Sequence, residues 1–291
     1  MTLPPWLESA RATVDAMGSR LPHGLLIQGP GGCGEQLLAE HLVRQILSLV
    51  DDRPAREIAH PDLRWVATED AAFIVVDQVR GISDFLVQRP QRGPRKLVVI
   101  DEAERMNPNA ANALLKSLEE PPADSFVVLV TSASERLLPT VRSRCQSILV
   151  QAPSAQQAMQ WLVQQGIDPT LARYFTLEYG SAPFHVLDAV EREQEPLWPA
   201  LMQARSSADL AGLSERLRND NLASLLARWL RIVHGLIRRT DGQSPPNREK
   251  MLAFADTAFD VYRAAQVNSG LNRQVQVERL LLHWLELDLP R

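Results

Sequence analysis

Short apolar runs alternating with helix-like stretches over the first half of the chain constrain its fold more than any other feature. Gly24–Gln28 (GLLIQ) stops at Gly29-Pro30-Gly31-Gly32 and reads as a buried strand feeding a glycine-rich turn. From Glu35 the period changes: Leu38, Leu42, Ile46 and Leu49 recur at helical spacing. Leu63–Val66 is a second strand candidate, and Asp77–Val87 a helix with Val79, Ile82 and Leu86 on its apolar face. Leu97–Ile100 is a third strand and ends in Asp101-Glu102-Ala103-Glu104. Asn109–Glu119 reads as a helix with Ala110, Ala113, Leu114 and Leu118 inward, stopped by Pro121-Pro122 because proline cannot donate to the helix ladder. Phe126–Thr131 is a fourth strand and Ser147–Val150 a weaker fifth. Continuously apolar strands interleaved with helices imply an α/β fold whose parallel sheet is covered on both faces.

After Ala152-Pro153 the strand signals stop. Ser154–Gly166, Pro169–Tyr179 and Phe184–Glu193 read as three short helices, with a break at Glu195-Pro196-Leu197-Trp198-Pro199. Beyond it one helical stripe runs Leu222, Leu225, Leu226, Trp229, Val233 and Ile237, and another Val277, Leu280, Leu281 and Trp284, with a polar loop at Thr240–Asn247. The expected organisation is therefore an α/β domain over 1–152, a small helical domain over 153–196 and a larger helical domain over 197–291. A chain of 291 residues is long enough for two or three domains.

Composition narrows the function. Lys and Arg number 31 against 35 Asp and Glu, a net charge of −4, whereas proteins that hold nucleic acid through the phosphates alone are usually basic. Any nucleic acid is then met through a local patch or through partners. Two cysteines, Cys33 and Cys145, build neither a disulfide framework nor a four-cysteine zinc site. No signal peptide is evident and no apolar run approaches the ~20 residues of a membrane span. A cytoplasmic location without a membrane partner is the expectation.

Three segments carry candidate chemistry. The first, Gly29 to Gln36, sits where a phosphate loop sits, between a strand and a helix, and Gly29 and Gly34 frame it correctly. Glu35 stands where such a loop has its lysine, and Gln36 where it has its magnesium-binding hydroxyl. A cation ~4 Å from a phosphate contributes about 1–4 kcal/mol of attraction, and an anion there gives comparable repulsion. The loop is expected to keep its turn and to have lost its ligand. The second segment, the strand ending in Asp101-Glu102, has the form of a Walker B element, where the aspartate helps hold magnesium and the glutamate polarises water. Without the lysine and hydroxyl these carboxylates read as remnants. The third, Leu137 to Cys145, holds Arg142 and Arg144, which composition alone would make a solvated basic turn, with Cys145 a small inert thiol.

Residues 97–122 (LVVIDEAERMNPNAANALLKSLEEPP) and 130–146 (VTSASERLLPTVRSRCQ) together resemble the clamp-loader branch of the AAA+ ATPases. Leu21-Pro22-His23-Gly24, His60 to Trp65, Val76 to Arg80, Asn272-Arg273 and Leu280 to Trp284 extend the likeness over most of the chain. The resemblance implies a RecA-like AAA+ domain with a five-stranded parallel sheet, a helical lid and a C-terminal helical collar that holds a pentameric arc. Each neighbour in such an arc supplies a Ser-Arg-Cys arginine to the next subunit's ATP. By that resemblance Arg144, in Ser143-Arg144-Cys145, is a trans-acting arginine finger. A planar guanidinium of this kind stabilises charge on the transferring phosphoryl group, worth ~10³–10⁵ in rate.

Further implications follow from the same likeness. The expected partners are ATPase (gamma/tau) subunits and a delta subunit, met through the collar and the AAA+ interface, with sliding clamp and primer-template DNA met indirectly or weakly. No cofactor is expected. Many relatives carry a zinc module after the first helix, but Leu49–Ala59 here is short and cysteine-free, so no zinc is expected. Active relatives carry an arginine near the Gly180-Ser181-Ala182-Pro183 region; this chain has His185 there, read as an ordinary histidine. Arg89, Arg92, Arg95 and Lys96 form a basic segment that either faces DNA or is a solvated turn, the reading favoured here. Three functions compete: a non-catalytic stator of the loader, a divergent AAA+ ATPase that binds and hydrolyses ATP itself, and a nucleic-acid remodeller. The last lacks the second strand-rich lobe such motors need.

Overall fold

The computed structural model describes residues 3–51, 53–68, 73–204, 206–239, 248–267, 271–287 and 289. They fall into two compact units, Met1–Pro153 and Ser154–Arg291.

In the first unit, α1 (Glu8–Met17) precedes β1 (Gly24–Gln28), and the glycine turn leads into α2 (Glu35–Leu47). Then come β2 (Leu63–Val66), α3 (Val76–Val87), β3 (Lys96–Ile100), α4 (Pro108–Glu119), β4 (Ser125–Thr131), the single turn α5 (Pro139–Arg142) and β5 (Gln146–Leu149). The strands form one five-stranded sheet in the order β2-β3-β4-β1-β5, and every pair is parallel. The near-continuous apolar runs arise because successive residues enter two different cores. Leu25, Ile27, Leu97, Val99, Phe126, Val128 and Ile148 pack with α1 and α2. Leu26, Val98, Ile100, Val127 and Leu129 pack with α3 and α4. A strand with helices on both faces has no solvent side to make polar. The edge strands β2 and β5 are the less buried ones.

α4 starts one residue before the Asn109 read from the sequence: the Asn107 side chain accepts from the Ala110 amide and Pro108 occupies the first turn. Such a cap is worth about 1 kcal/mol. The basic segment requires a correction. Arg89 and Arg92 are exposed in the α3–β3 loop, but Lys96 is not part of a solvated turn. It opens β3, is 1% exposed, and its Nζ lies 3.9 Å from the Phe85 ring centroid. The period of two puts it on the same face as Val98 and Ile100, where α3 lies. The loop itself is pinned from inside: buried Asp62 accepts from the amides of Gln91, Arg92 and Gly93. Burial pulls the Asp62 carboxyl up, but those amides outweigh it and hold it below its ordinary value.

The second unit is helical: α6 (Ala155–Gln164), α7 (Pro169–Tyr179), α8 (Pro183–Glu191), α9 (Leu197–Gln203), α10 (Ser207–Arg216), α11 (Leu222–Arg239), α12 (Arg248–Val267) and α13 (Arg273–Leu285). The break read at residues 195–199 is shorter than expected, because α9 begins at Leu197; Pro199 is tolerated in its first turn, where no helical donor is lost. The polar loop at Thr240–Asn247 lies outside the described residues. Two apolar clusters form. One holds Leu162, Ala172, Phe175, Val186 and Ala189 from α6, α7 and α8. The larger is centred on Trp229, Phe254 and Trp284, whose rings meet at 5.3–5.7 Å. Between α7 and α11 runs a fully buried ion pair, Arg228 Nη2 to Glu178 Oε2 at 2.6 Å, with Glu178 Oε1 also accepting from the Trp198 amide at 2.8 Å.

Candidate functional site

β1, β3 and β4 end side by side, so the glycine turn, Asp101 and Thr131 share the carboxyl edge of the sheet, the place where open α/β sheets bind ligands. Gln28 pairs with Thr131, and Ile100 lies one strand further on, beside Leu129.

The turn keeps the form of a phosphate loop. Gly31, Gly32 and Gly34 have φ of 82°, 67° and 101°, a region that strains residues bearing a Cβ. Gly34 is the N-cap of α2. What fills the loop is the chain's own carboxylate. Glu35 Oε1 accepts from the Gly31 amide at 3.0 Å, and Oε2 accepts from the Cys33 amide at 3.0 Å. Glu35 is 5% exposed. A Cβ on Gly29 would collide with this carboxylate, so glycine there makes room for an internal anion. Amides and helix dipole that elsewhere hold a phosphate are already engaged. The Trp6 indole donates to the Cys33 carbonyl at 2.7 Å and fixes the far side of the turn. The Cys33 thiol is pushed up to about 12, by burial first and then by the Glu35 charge.

Gln36 extends the closure. Its Nε2 donates to Asp101 Oδ2 at 2.6 Å, a neutral bridge between the two elements that a magnesium ion would otherwise join. Asp101 Oδ1 accepts from the Glu102 amide at 2.9 Å. Burial pushes the Asp101 carboxyl up to about 6; the Glu102 amide and Gln36 oppose this, while the charges of Glu102 and Glu104 add to it. Glu102 is turned elsewhere. It adopts φ +47°, accepts from the Thr68 hydroxyl and pairs with Arg105 at 3.2 Å. Glu104 accepts from the Thr131 hydroxyl and from the Ser132 hydroxyl, each at 2.7 Å. The charges of Glu102 and Glu104 are felt at Asp101, and Arg105 pairs with Glu102 alone among these carboxylates in the described residues. An Mg·ATP does not fit this donor set: its phosphate position is occupied by a carboxylate and its metal position is bridged by an amide.

Arg144 lies elsewhere. It precedes β5, which runs parallel to β1, and its carbonyl oxygen packs against Gly24 at the start of β1. The glycine turn follows the end of β1. Five residues of strand, about 3.3 Å each, separate the two, so Arg144 stands at the opposite edge of the sheet from its own phosphate loop. Its Nη1 donates to the Thr140 carbonyl at 3.0 Å, and its Nη2 meets Glu119 Oε1 at 2.5 Å. Arg142 is exposed on the same turn. Burial pushes the Cys145 thiol up to about 11, which keeps it protonated near neutral pH. His185 packs against Tyr179, ring to ring at 6.2 Å, within the second unit.

Sequence reading singled out Gly29, Gly34, Glu35 and Gln36 in one motif and Asp101 and Glu102 in another; Gln36 joins the two by its bond to Asp101, whereas Glu102 turns to Thr68 and Arg105. That reading missed Thr68, Glu104, Thr131 and Glu119. Thr131 is foreseeable once the strand order is known, because it ends the strand between β1 and β3. Glu104 stands in the acidic strand end itself. Thr68 and Glu119 are 34 and 25 residues from their partners and leave no local signal.

A family model described as DNA polymerase III, delta subunit, matches residues 12–154. The DNA polymerase III subunit delta' of Pseudomonas aeruginosa is 40% identical, over 98% of this chain and 98% of its own length. That of Escherichia coli is 30% identical, over 97% and 96%. A DNA polymerase III gamma subunit-related protein of Thermotoga maritima superposes with a TM-score of 0.60 at 20% identity, covering 97% of this chain and 99% of that one; it supports the fold alone.

Proposed function

The chain belongs to the family of DNA polymerase III delta' subunits, and from that premise we propose that it is the non-catalytic stator of a clamp loader. It neither binds nor hydrolyses ATP. It stands in a pentameric arc that loads the sliding clamp on primed DNA during chromosomal replication, as a component of the polymerase holoenzyme in the cytoplasm. Its neighbours are gamma/tau ATPase subunits and the delta subunit.

The observation that carries this reading is the seating of the Glu35 carboxylate on the Gly31 and Cys33 amides. A nucleotide would have to expel a buried anion from the one cradle its phosphates need, and then meet Asp101, Glu102 and Glu104 without a lysine. Catalytic work is left for Arg144, on the edge of the sheet away from that cradle. It acts in trans, as an arginine finger on the γ-phosphoryl group held by a neighbouring ATPase subunit, where a planar guanidinium offsets developing charge. Residues 153–196 form the lid and residues 197–291 the collar domain through which the arc is held, the latter built on the Trp229–Phe254–Trp284 core. No helix among the described residues is long and apolar enough to cross a membrane.

The test is reconstitution with the ATPase and delta subunits, the clamp and primed DNA. Arg144→Ala is expected to leave assembly intact and to slow ATP turnover and clamp loading at least tenfold, a conservative fraction of the effect of an arginine finger. Unchanged turnover refutes the role given to Arg144.

A further inference from the structure

We propose that Glu119 is a positioning residue for Arg144: it holds the guanidinium in an ordered pose on the rim of the sheet, ready to meet a neighbour's phosphoryl group. The inference rests on the reading of Arg144 as a trans-acting arginine.

The geometry begins with what Arg144 is. Its side chain is long and 35% exposed, and a free arginine there would sample many rotamers. An arginine that helps a neighbour's transition state only in one pose loses rate in proportion to the time it spends elsewhere. Here both terminal nitrogens are tied to the chain's own groups. Nη1 donates to the Thr140 carbonyl at 3.0 Å and approaches the Ser143 hydroxyl at 3.5 Å. Nη2 meets Glu119 Oε1 at 2.5 Å. The two anchors come from different elements, α5 with its following turn and the last residue of α4. Together they fix the plane of the guanidinium, which a single contact could not do. The fork still has N–H groups left for a phosphate.

Glu119 has no local reason to be acidic. It ends α4, where the helix dipole disfavours a carboxylate, and it is 47% exposed. Its visible partner is Arg144. Two effects of this pair oppose each other. Ordering the arginine speeds the neighbour's reaction, whereas the nearby negative charge weakens the cation. Water reaches both side chains and screens the charge, so the second effect is small, and ordering prevails.

The experiment uses the reconstituted loader with Glu119→Ala, Glu119→Gln, Arg144→Ala and the double variant, reading kcat and KM for ATP. Glu119→Ala is expected to lower kcat about fivefold with KM for ATP within twofold of the parent, a smaller effect than removing the arginine itself. Glu119→Gln keeps an acceptor at the same length and should recover more than half of that loss. The double variant should be no slower than Arg144→Ala alone, because a positioning residue has nothing left to position. An unchanged kcat in Glu119→Ala beside a slowed Arg144→Ala overturns the inference and leaves the arginine finger standing. A faster kcat, or further slowing by Glu119→Ala in the Arg144→Ala background, also overturns it. An unchanged Arg144→Ala removes both readings at once.

Discussion

Removing the internal anion is the sharpest perturbation the structure offers. Glu35→Ala deletes a carboxylate that accepts from the Gly31 and Cys33 amides at 3.0 Å each and is 5% exposed. A hydrogen bond to a charged group contributes about 1.5–3 kcal/mol, and an anion at a helix N-terminus about 0.3–1 kcal/mol more. Against this stand the relief of desolvation when the carboxylate goes and the water that enters the vacated cradle. The net loss should be about 2–4 kcal/mol of local stability. At 1.36 kcal/mol per factor of ten, the Gly31 and Cys33 amides should exchange with solvent hydrogen roughly 30- to 1000-fold faster. Amide exchange followed by NMR reads this directly, and α4 amides serve as the internal control. Millimolar inorganic phosphate should slow exchange in Glu35→Ala and leave the parent unaffected, since only the variant has an open anion cradle. Exchange at Gly31 and Cys33 unchanged by the substitution would refute the claim that this carboxylate holds the loop.

Further expectations concern charge. Asp101 has its carboxyl raised from 3.8 to about 6 in the folded chain, so the folded state holds the proton more tightly than the unfolded one. Its contribution is fully present below the unfolded value and is lost as pH rises through about 6. Asp101→Asn should therefore stabilise the chain by about 1–3 kcal/mol near neutral pH and flatten the fall in stability across that window, as urea titrations at several pH values will show. Gln36 can turn its amide to accept from the new side chain. In the second unit, Arg228→Met strands the Glu178 carboxylate with no charge partner in a site where both groups are fully buried. That should cost about 3–5 kcal/mol in thermal or urea unfolding, while Arg228→Met with Glu178→Gln should recover much of it. A single variant as stable as the parent would contradict the burial of the pair.

Much of this was legible in the chain itself. Alternating apolar strands and helices dictate a covered parallel sheet; β3 and β4 each begin one residue before the apolar run read from the sequence, because Lys96 and Ser125 are polar residues buried at the strand starts. The departure from a working phosphate loop is legible too, since a carboxylate and an amide stand at two positions of fixed chemistry. What the sequence does not disclose is where those side chains go. Repulsion of a phosphate can be argued from the charge of Glu35 alone; that it folds back onto the loop's own amides needs the φ values of Gly31 and Gly34. Lys96 misled because local composition groups it with Arg89, Arg92 and Arg95, whereas strand register carries it inside, over Phe85. Glu119 and Thr68 are set by tertiary approach of distant segments, which no spacing rule encodes.

On the function proposed, this chain has given up its own nucleotide. A titration of the isolated chain with fluorescent ATP, with and without magnesium, tests it most directly. No saturable binding is expected into the millimolar range, and no dependence on magnesium. Micromolar, magnesium-dependent binding that competes with unlabelled ATP would contradict it.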